Sequence, residues 1–225
     1  MNKLQKLLKI LPQYLNPNTL RSVIFFTGGI IIFIIGVVLY GVIINIREIS
    51  LNEAMNLKGF SKLSNTSILI DRKNYSLSLY EDTLLIKTWR ANFGRNINYP
   101  KTHDGDMSTP VGEYKICAID TIGKYHKFLR LNYPNLTDAT EALRKGIITQ
   151  KDYDKISFEF YYGDCPDMNT AMGGDIGIQG IGEYNYIFKN LPFVFNWTDG
   201  SIAVSNEGID EIYSVVKKGT KVVIK

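Results

Sequence analysis

Few side chains in this chain of 225 residues have the chemistry of a nucleophile, a base or a metal ligand. There are two cysteines, Cys117 and Cys165, and two histidines, His103 and His126. A free thiol has a pKa of about 8.5, and a neighbouring imidazole lowers it enough to supply the nucleophilic thiolate. Cys117 falls inside the alternating run YKICAID and reads as core, whereas Cys165 lies in the loop GDCPDMNTAMGGD and is the candidate for a displaced nucleophile. A Cys117–Cys165 disulfide suits an oxidising compartment, but no spacing rule selects it. His103 sits in a Gly/Asp loop and His126 just before KFLRLNYPN, and each reads as a surface or packing residue. Two histidines this far apart make no zinc site, and no phosphate loop appears, so no metal and no cofactor is expected.

The elements that must position these residues begin with a membrane segment. Residues 23–46, VIFFTGGIIIFIIGVVLYGVIINI, carry no charge. About 20 apolar residues cross a bilayer core as a helix, and a soluble helix would show the polar face that this one lacks. Lys3, Lys6, Lys9 and Arg21 precede it with no acid among them. The reading is a basic cytoplasmic head over 1–21, one transmembrane helix over 22–46 and a polar linker over 47–65. The C-terminal domain, 66–225, would then lie outside, in the periplasm of a bacterium. No small-residue cleavage site follows the span, which favours an uncleaved single-pass anchor. The formal net charge of +4 therefore belongs to the head, and the remainder holds 22 acids against as many bases, so nucleic-acid binding has no support.

Past the linker the pattern has period two. SILIDR (67–72), SLSLYE (76–81) and LLIKTWRANF (84–93) read as a meander of strands, followed by a Gly/Pro/Asp-rich loop and the strand YKICAID (114–120). Residues 138–150 change to helical spacing, and SFEFYYG (157–163) fits either a strand or an aromatic helix. DIGIQG (175–180) and GSIAVSN (200–206) are short buried strands. Asn206 is placed as the cap of a helix running to about Val216 and ended by Gly219, and TKVVIK closes as a strand.

Three stretches in order resemble the YkuD-type L,D-transpeptidase domain: GDMSTPVGEYKI (105–116), KFLRLNYPN (127–135), and GGDIGIQG (173–180) with NWTDGSIAVSNEGIDEIYSVVKKGTKVVIK (196–225). The resemblance implies a mainly β fold with a few helices (α+β), an L,D-transpeptidase-like β-sandwich preceded by one transmembrane helix. It also implies a cysteine nucleophile after a Gly in the active-site turn and a His base before a Gly on the upstream strand, acting on peptidoglycan stem peptides. At those two positions this chain has Ser201 and Gln179. Gly200 would form the oxyanion turn, and Gly180, Trp197, Thr198 and Asp199 would contact substrate. Gln cannot take a proton at neutral pH, and loss of a general base alone costs about 10²–10⁴ in rate. The resemblance therefore implies a degenerate cell-wall protein that binds stem peptides or a periplasmic protein partner. The alternatives are an active transpeptidase or amidase-like enzyme using Ser201, and a structural or assembly protein that presents residues 138–165 to a partner.

Overall fold

The computed structural model describes residues 16–46, 48–163, 165–166, 169–191 and 193–225, without the side chains of 44–46. Lys3, Lys6 and Lys9 of the expected head lie outside the described residues. The chain divides into two units, one built on the N-terminal helix and one comprising Glu48–Lys189 and Phe193–Lys225.

Helix α1, Pro17–Ile46, is the first unit's single element among the described residues. It starts earlier than the sequence reading placed it, with proline in the first helical position, where its missing N–H is no loss. Asn16 Oδ1 accepts the Asn18 N–H at 3.2 Å. At 1.5 Å per residue its 30 residues reach about 45 Å, and it is long and apolar enough to cross a membrane.

In the second unit, eight strands form one hydrogen-bonded succession in the order β3-β2-β1-β8-β4-β5-β6-β7. β1 (Thr66–Asp71), β2 (Ser76–Glu81) and β3 (Leu84–Arg90) are the expected antiparallel meander. β8 (Lys221–Ile224) pairs parallel to β1, and both strands turn alternate residues inward: Ile68 and Ile70, Val222 and Ile224. β4 (Gly112–Gly123) joins the two halves. Its first residues pair with β8 and its later ones with β5 (His126–Leu131), which in turn pairs with β6 (Gly177–Gln179). β6 runs parallel to β7 (Ile202–Ala203). Beyond β3 the chain returns to this far edge, with bridges from Asn92 to Ala203 and from Gly94 to Thr198. The succession thus closes on itself around one core that includes Phe93, Tyr114, Leu129, Ile178 and Ile202.

The residues read as a linker over 47–65 contain helix α2, Leu51–Leu57, capped by the Ser50 side chain at Glu53 N–H. Leu51, Ala54 and Met55 are buried, so ordered structure begins well before Ser67. A single carboxylate holds α2 in place: Glu211 accepts the Leu51 N–H at 2.7 Å, Lys87 Nζ at 2.6 Å and Trp89 Nε1 at 2.8 Å. Helix α3, Leu136–Arg144, starts two residues before the expected Asp138, because Asn135 and Asp138 form a reciprocal capping box. Helix α4, Gln150–Tyr162, resolves the ambiguous 157–163 run as helix, again behind a capping box, here of Thr149 and Asp152. Two corrections follow in the C-terminal region. The cap of helix α6, Asn206–Tyr213, is Ser205, whose hydroxyl accepts the Gly208 N–H, and the helix ends before Val216. (Helix α5, Asn185–Phe188, is a single turn.)

Cys117 and Cys165 form a disulfide that closes 48 residues of sequence and ties β4 to the loop leading into β6. The preceding loop is tied by Asp106. Its Oδ1 accepts Lys101 Nζ at 2.8 Å and Ser108 N–H at 3.0 Å, and its Oδ2 accepts Thr102 and His103 N–H at 2.7 and 3.1 Å. Burial pushes this carboxyl up, but the Lys101 ammonium and the three N–H donors outweigh it and hold the pKa at about 2, below the usual 3.8.

Glu211→Ala strands Lys87, which is 10% exposed, and frees α2; urea unfolding of the full-length protein in detergent should show a loss of about 3 kcal/mol, and a loss under about 1 would contradict this role. The Cys117→Ala/Cys165→Ala pair should lose about 2–5 kcal/mol by the same method. Because the folded pKa of Asp106 is depressed, its contribution is complete above the unfolded value and disappears as pH falls towards about 2. Asp106→Asn should therefore be less stable than the parent at pH 7, with a difference that shrinks between pH 4 and pH 2; a constant difference would contradict the assignment.

Candidate active site

A cleft of about 760 Å³ opens over β5, β6 and the turn before β7. Of the seven residues singled out in the sequence, Gln179, Trp197, Thr198, Asp199 and Ser201 line it, while Gly180 and Gly200 are buried and are not part of its lining. The parallel pairing of Ile178 with Ile202 and of Gln179 with Ala203 places Gln179, 5% exposed, on the strand beside the Ser201 turn.

The turn itself is clamped by Thr198. Its hydroxyl donates to the Ser201 carbonyl at 2.6 Å and accepts the Gly200 N–H at 3.3 Å. That N–H is therefore already engaged within the turn. Thr198 N–H donates to Phe93 O and Arg95 N–H to Thr198 O, while Asn196 Oδ1 accepts Phe93 N–H, so the chain after β3 braces the turn from outside. Gly200 has φ of 133°, and a Cβ there would come within 2.8 Å of both Ser108 O and Ile176 Cδ1; any side chain would push the turn off its seat. At Gly180 a Cβ would meet Asn206 Oδ1 at 2.7 Å and Tyr125 O at 2.8 Å, so this glycine serves close packing. Asn206, freed from capping, accepts the Ile181 and Gly182 N–H groups and donates to Gly182 O, locking α6 against the end of β6.

Among the described residues, the Ser201 hydroxyl hydrogen-bonds only to main-chain groups. It donates to Asp175 O at 3.4 Å and accepts Gly177 N–H at 3.3 Å, both longer than a strong hydrogen bond. Asp199, two residues before it, is instead paired with Arg95 at the exposed edge. Cys165 is not a displaced nucleophile, since its sulfur is in the disulfide. His103 Nδ1 lies 3.0 Å from the Thr102 hydroxyl.

Several cleft residues had no signal in the sequence. His126, read as a surface or packing residue, lines the cleft with Nε2 2.8 Å from Asp210 Oδ1, and Lys127 shares that carboxylate. Burial raises the Asp210 pKa, but Lys127 and His126 more than offset this and hold it below its ordinary value. Arg130 pairs with Asp175 at 3.0 Å, and Asp175 has φ of 55°, unusual for a residue with a side chain. Lys124 and Tyr125 come from the β4–β5 turn. The lining therefore carries charges of both signs. Among the described residues no three His, Cys, Asp or Glu side chains converge as metal ligands would.

Residues 65–224 match the family model described as the L,D-transpeptidase catalytic domain, YkuD. Solved structures that resemble the chain include the helical cell shape determining protein Pgp2 from Campylobacter jejuni, at 19% identity and a TM-score of 0.47, over 71% of this chain and 47% of that one. Bd1075 from Bdellovibrio bacteriovorus aligns at 21% identity and a TM-score of 0.45, over 72% and 48%. An L,D-transpeptidase from Xylanimonas cellulosilytica aligns at 14% identity and a TM-score of 0.42, over 76% and 68%. The chain thus spans about half the length of Pgp2 and Bd1075. No curated protein matches it in sequence. A cell-wall domain behind an N-terminal apolar helix is extracytoplasmic, the setting in which a disulfide such as Cys117–Cys165 persists. By the match over 65–224, which takes in the cleft and the Ser201 turn, the chain belongs to the L,D-transpeptidase catalytic domain family, whose members act on peptidoglycan stem peptides.

Proposed function

We propose that this protein is a membrane-anchored, catalytically degenerate member of its family that holds peptidoglycan stem peptides in the Ser201 cleft without transferring them. The observation that carries the reading is the environment of Ser201, whose hydroxyl hydrogen bonds go to Asp175 O and Gly177 N–H. Neither is a base at neutral pH, and the neighbouring strand offers Gln179, which cannot accept a proton. An unactivated hydroxyl is a weak nucleophile, and the general-base contribution of about 10²–10⁴ is missing. The cleft volume suits a peptide segment, and its mixed charges suit a ligand bearing both carboxylates and amines. Helix α1 would anchor the domain as a single span, with the basic head in the cytoplasm and the cleft in the periplasm. A periplasmic protein partner, in place of the stem peptide, is the variant of this reading in which the cleft is a docking surface.

A second reading, an active enzyme using Ser201, draws on one observation: His126 with its Asp210 partner lines the same cleft. The hydrogen bonds of Ser201 favour the first.

The test compares the full-length parent with the Gln179→His/Ser201→Cys double variant on a stem tetrapeptide, following binding by calorimetry and product by mass. The expected outcome is that both bind and only the double variant turns over. Turnover by the parent that Ser201→Ala abolishes would overturn the proposal.

A further inference from the structure

The cleft continues into a strip of aromatic rings. Tyr125 and Trp197, both in its lining, pack with ring centroids 5.4 Å apart. Phe188 lies 6.4 Å from Trp197, and Phe195 stacks 6.4 Å from Phe188 with the ring planes 21° apart. Tyr184 meets Phe188 edge-on at 6.4 Å. The outer rings are open to solvent, Tyr184 at 63% and Phe195 at 54%. A contiguous exposed run of this kind marks a binding surface more often than a decoration.

We propose that this strip binds the sugar rings of a glycan strand, an inference that rests on the reading of the cleft as a stem-peptide site. A pyranose presents an apolar C–H face bordered by hydroxyls, and it is matched by flat rings with donors and acceptors beside them. The strip has both. Lys124 sits over the Tyr125 ring at 5.0 Å, and Asp120 and Asp199 line the cleft beside it. The connectivity of the ligand points the same way. A stem peptide is bonded to its amino sugar, so a peptide seated over Ser201 delivers a sugar to the cleft's edge.

The test uses full-length protein in nanodiscs and a β-1,4-linked N-acetylglucosamine pentamer carrying no peptide. Trp197 and Trp89 are the chain's two tryptophans, and Trp89 is buried on Glu211, so a change in emission on titration reports Trp197. The expected result is saturable binding that Tyr184→Ala/Phe195→Ala, at two exposed positions, weakens about tenfold, while binding of a sugar-free stem peptide keeps its affinity. If the peptide binds and the pentamer does not, the glycan inference falls and the cleft reading stands. If neither binds, both fall. Quenching of Trp197 by brominated lipids, with no response to the pentamer, would assign the strip to the bilayer and overturn the proposal.

Discussion

The candidate site depends on one constraint: β6 and the turn before β7 come from segments more than twenty residues apart and must lie side by side in parallel. Two strands of three and two residues cannot hold such an arrangement by their own ladder. The surrounding chain holds it. The residues after β3 bridge to Ala203 and Thr198 from one side, and Asn206 spans to Ile181 and Gly182 from the other. Thr198 then folds the turn onto itself. Gly200 and Gly180 are required by this crowding: at each, a side chain would collide with backbone oxygen within 3 Å. The same scaffold would position a thiol and an imidazole as readily as it positions a hydroxyl and an amide. Degeneracy in this account therefore resides in side-chain chemistry and leaves the backbone of the cleft intact.

The outer architecture serves that constraint. The closed succession of strands gives β5 and β6 a rigid floor. The disulfide and the Asp106 cluster fix the two loops that wall the cleft, and Glu211 ties α2, β3 and α6 together on the opposite flank. These ties are polar or covalent; the disulfide and Glu211 join elements far apart in sequence, while Asp106 closes its own loop. In a domain whose smallest strands have two or three residues, such ties complement burial, which alone specifies short strands poorly.

What was legible in the sequence was local. The runs of β1, β2 and β8 bury alternate residues, whereas the buried residues of β3, Ile86 and Trp89, are three apart; the motif order identified the family region. Helix α2 was missed because its three buried residues, Leu51, Ala54 and Met55, form too short a pattern to read without the surface they cover. Ser205 and Asn206 are both good capping residues. Choosing between them needs the position of residues 181–182, to which the Asn206 amide reaches. The disulfide and the cleft roles of His126, Lys124 and Arg130 likewise depend on contacts across the sheet that no local pattern encodes. Among the site residues, Gln179, Trp197, Thr198, Asp199 and Ser201 do line one cleft, and at Gly180 and Gly200 a side chain would collide with neighbouring atoms.

The most direct measurement of the central claim is the intact mass of the full-length protein after incubation with a stem tetrapeptide bearing an activated ester at the scissile carbonyl. Bound peptide would bring the reactive carbonyl to Ser201, so the experiment asks whether that hydroxyl attacks. The account predicts occupancy of the cleft with the protein's mass unchanged. A stoichiometric acyl adduct mapped to Ser201 would contradict it.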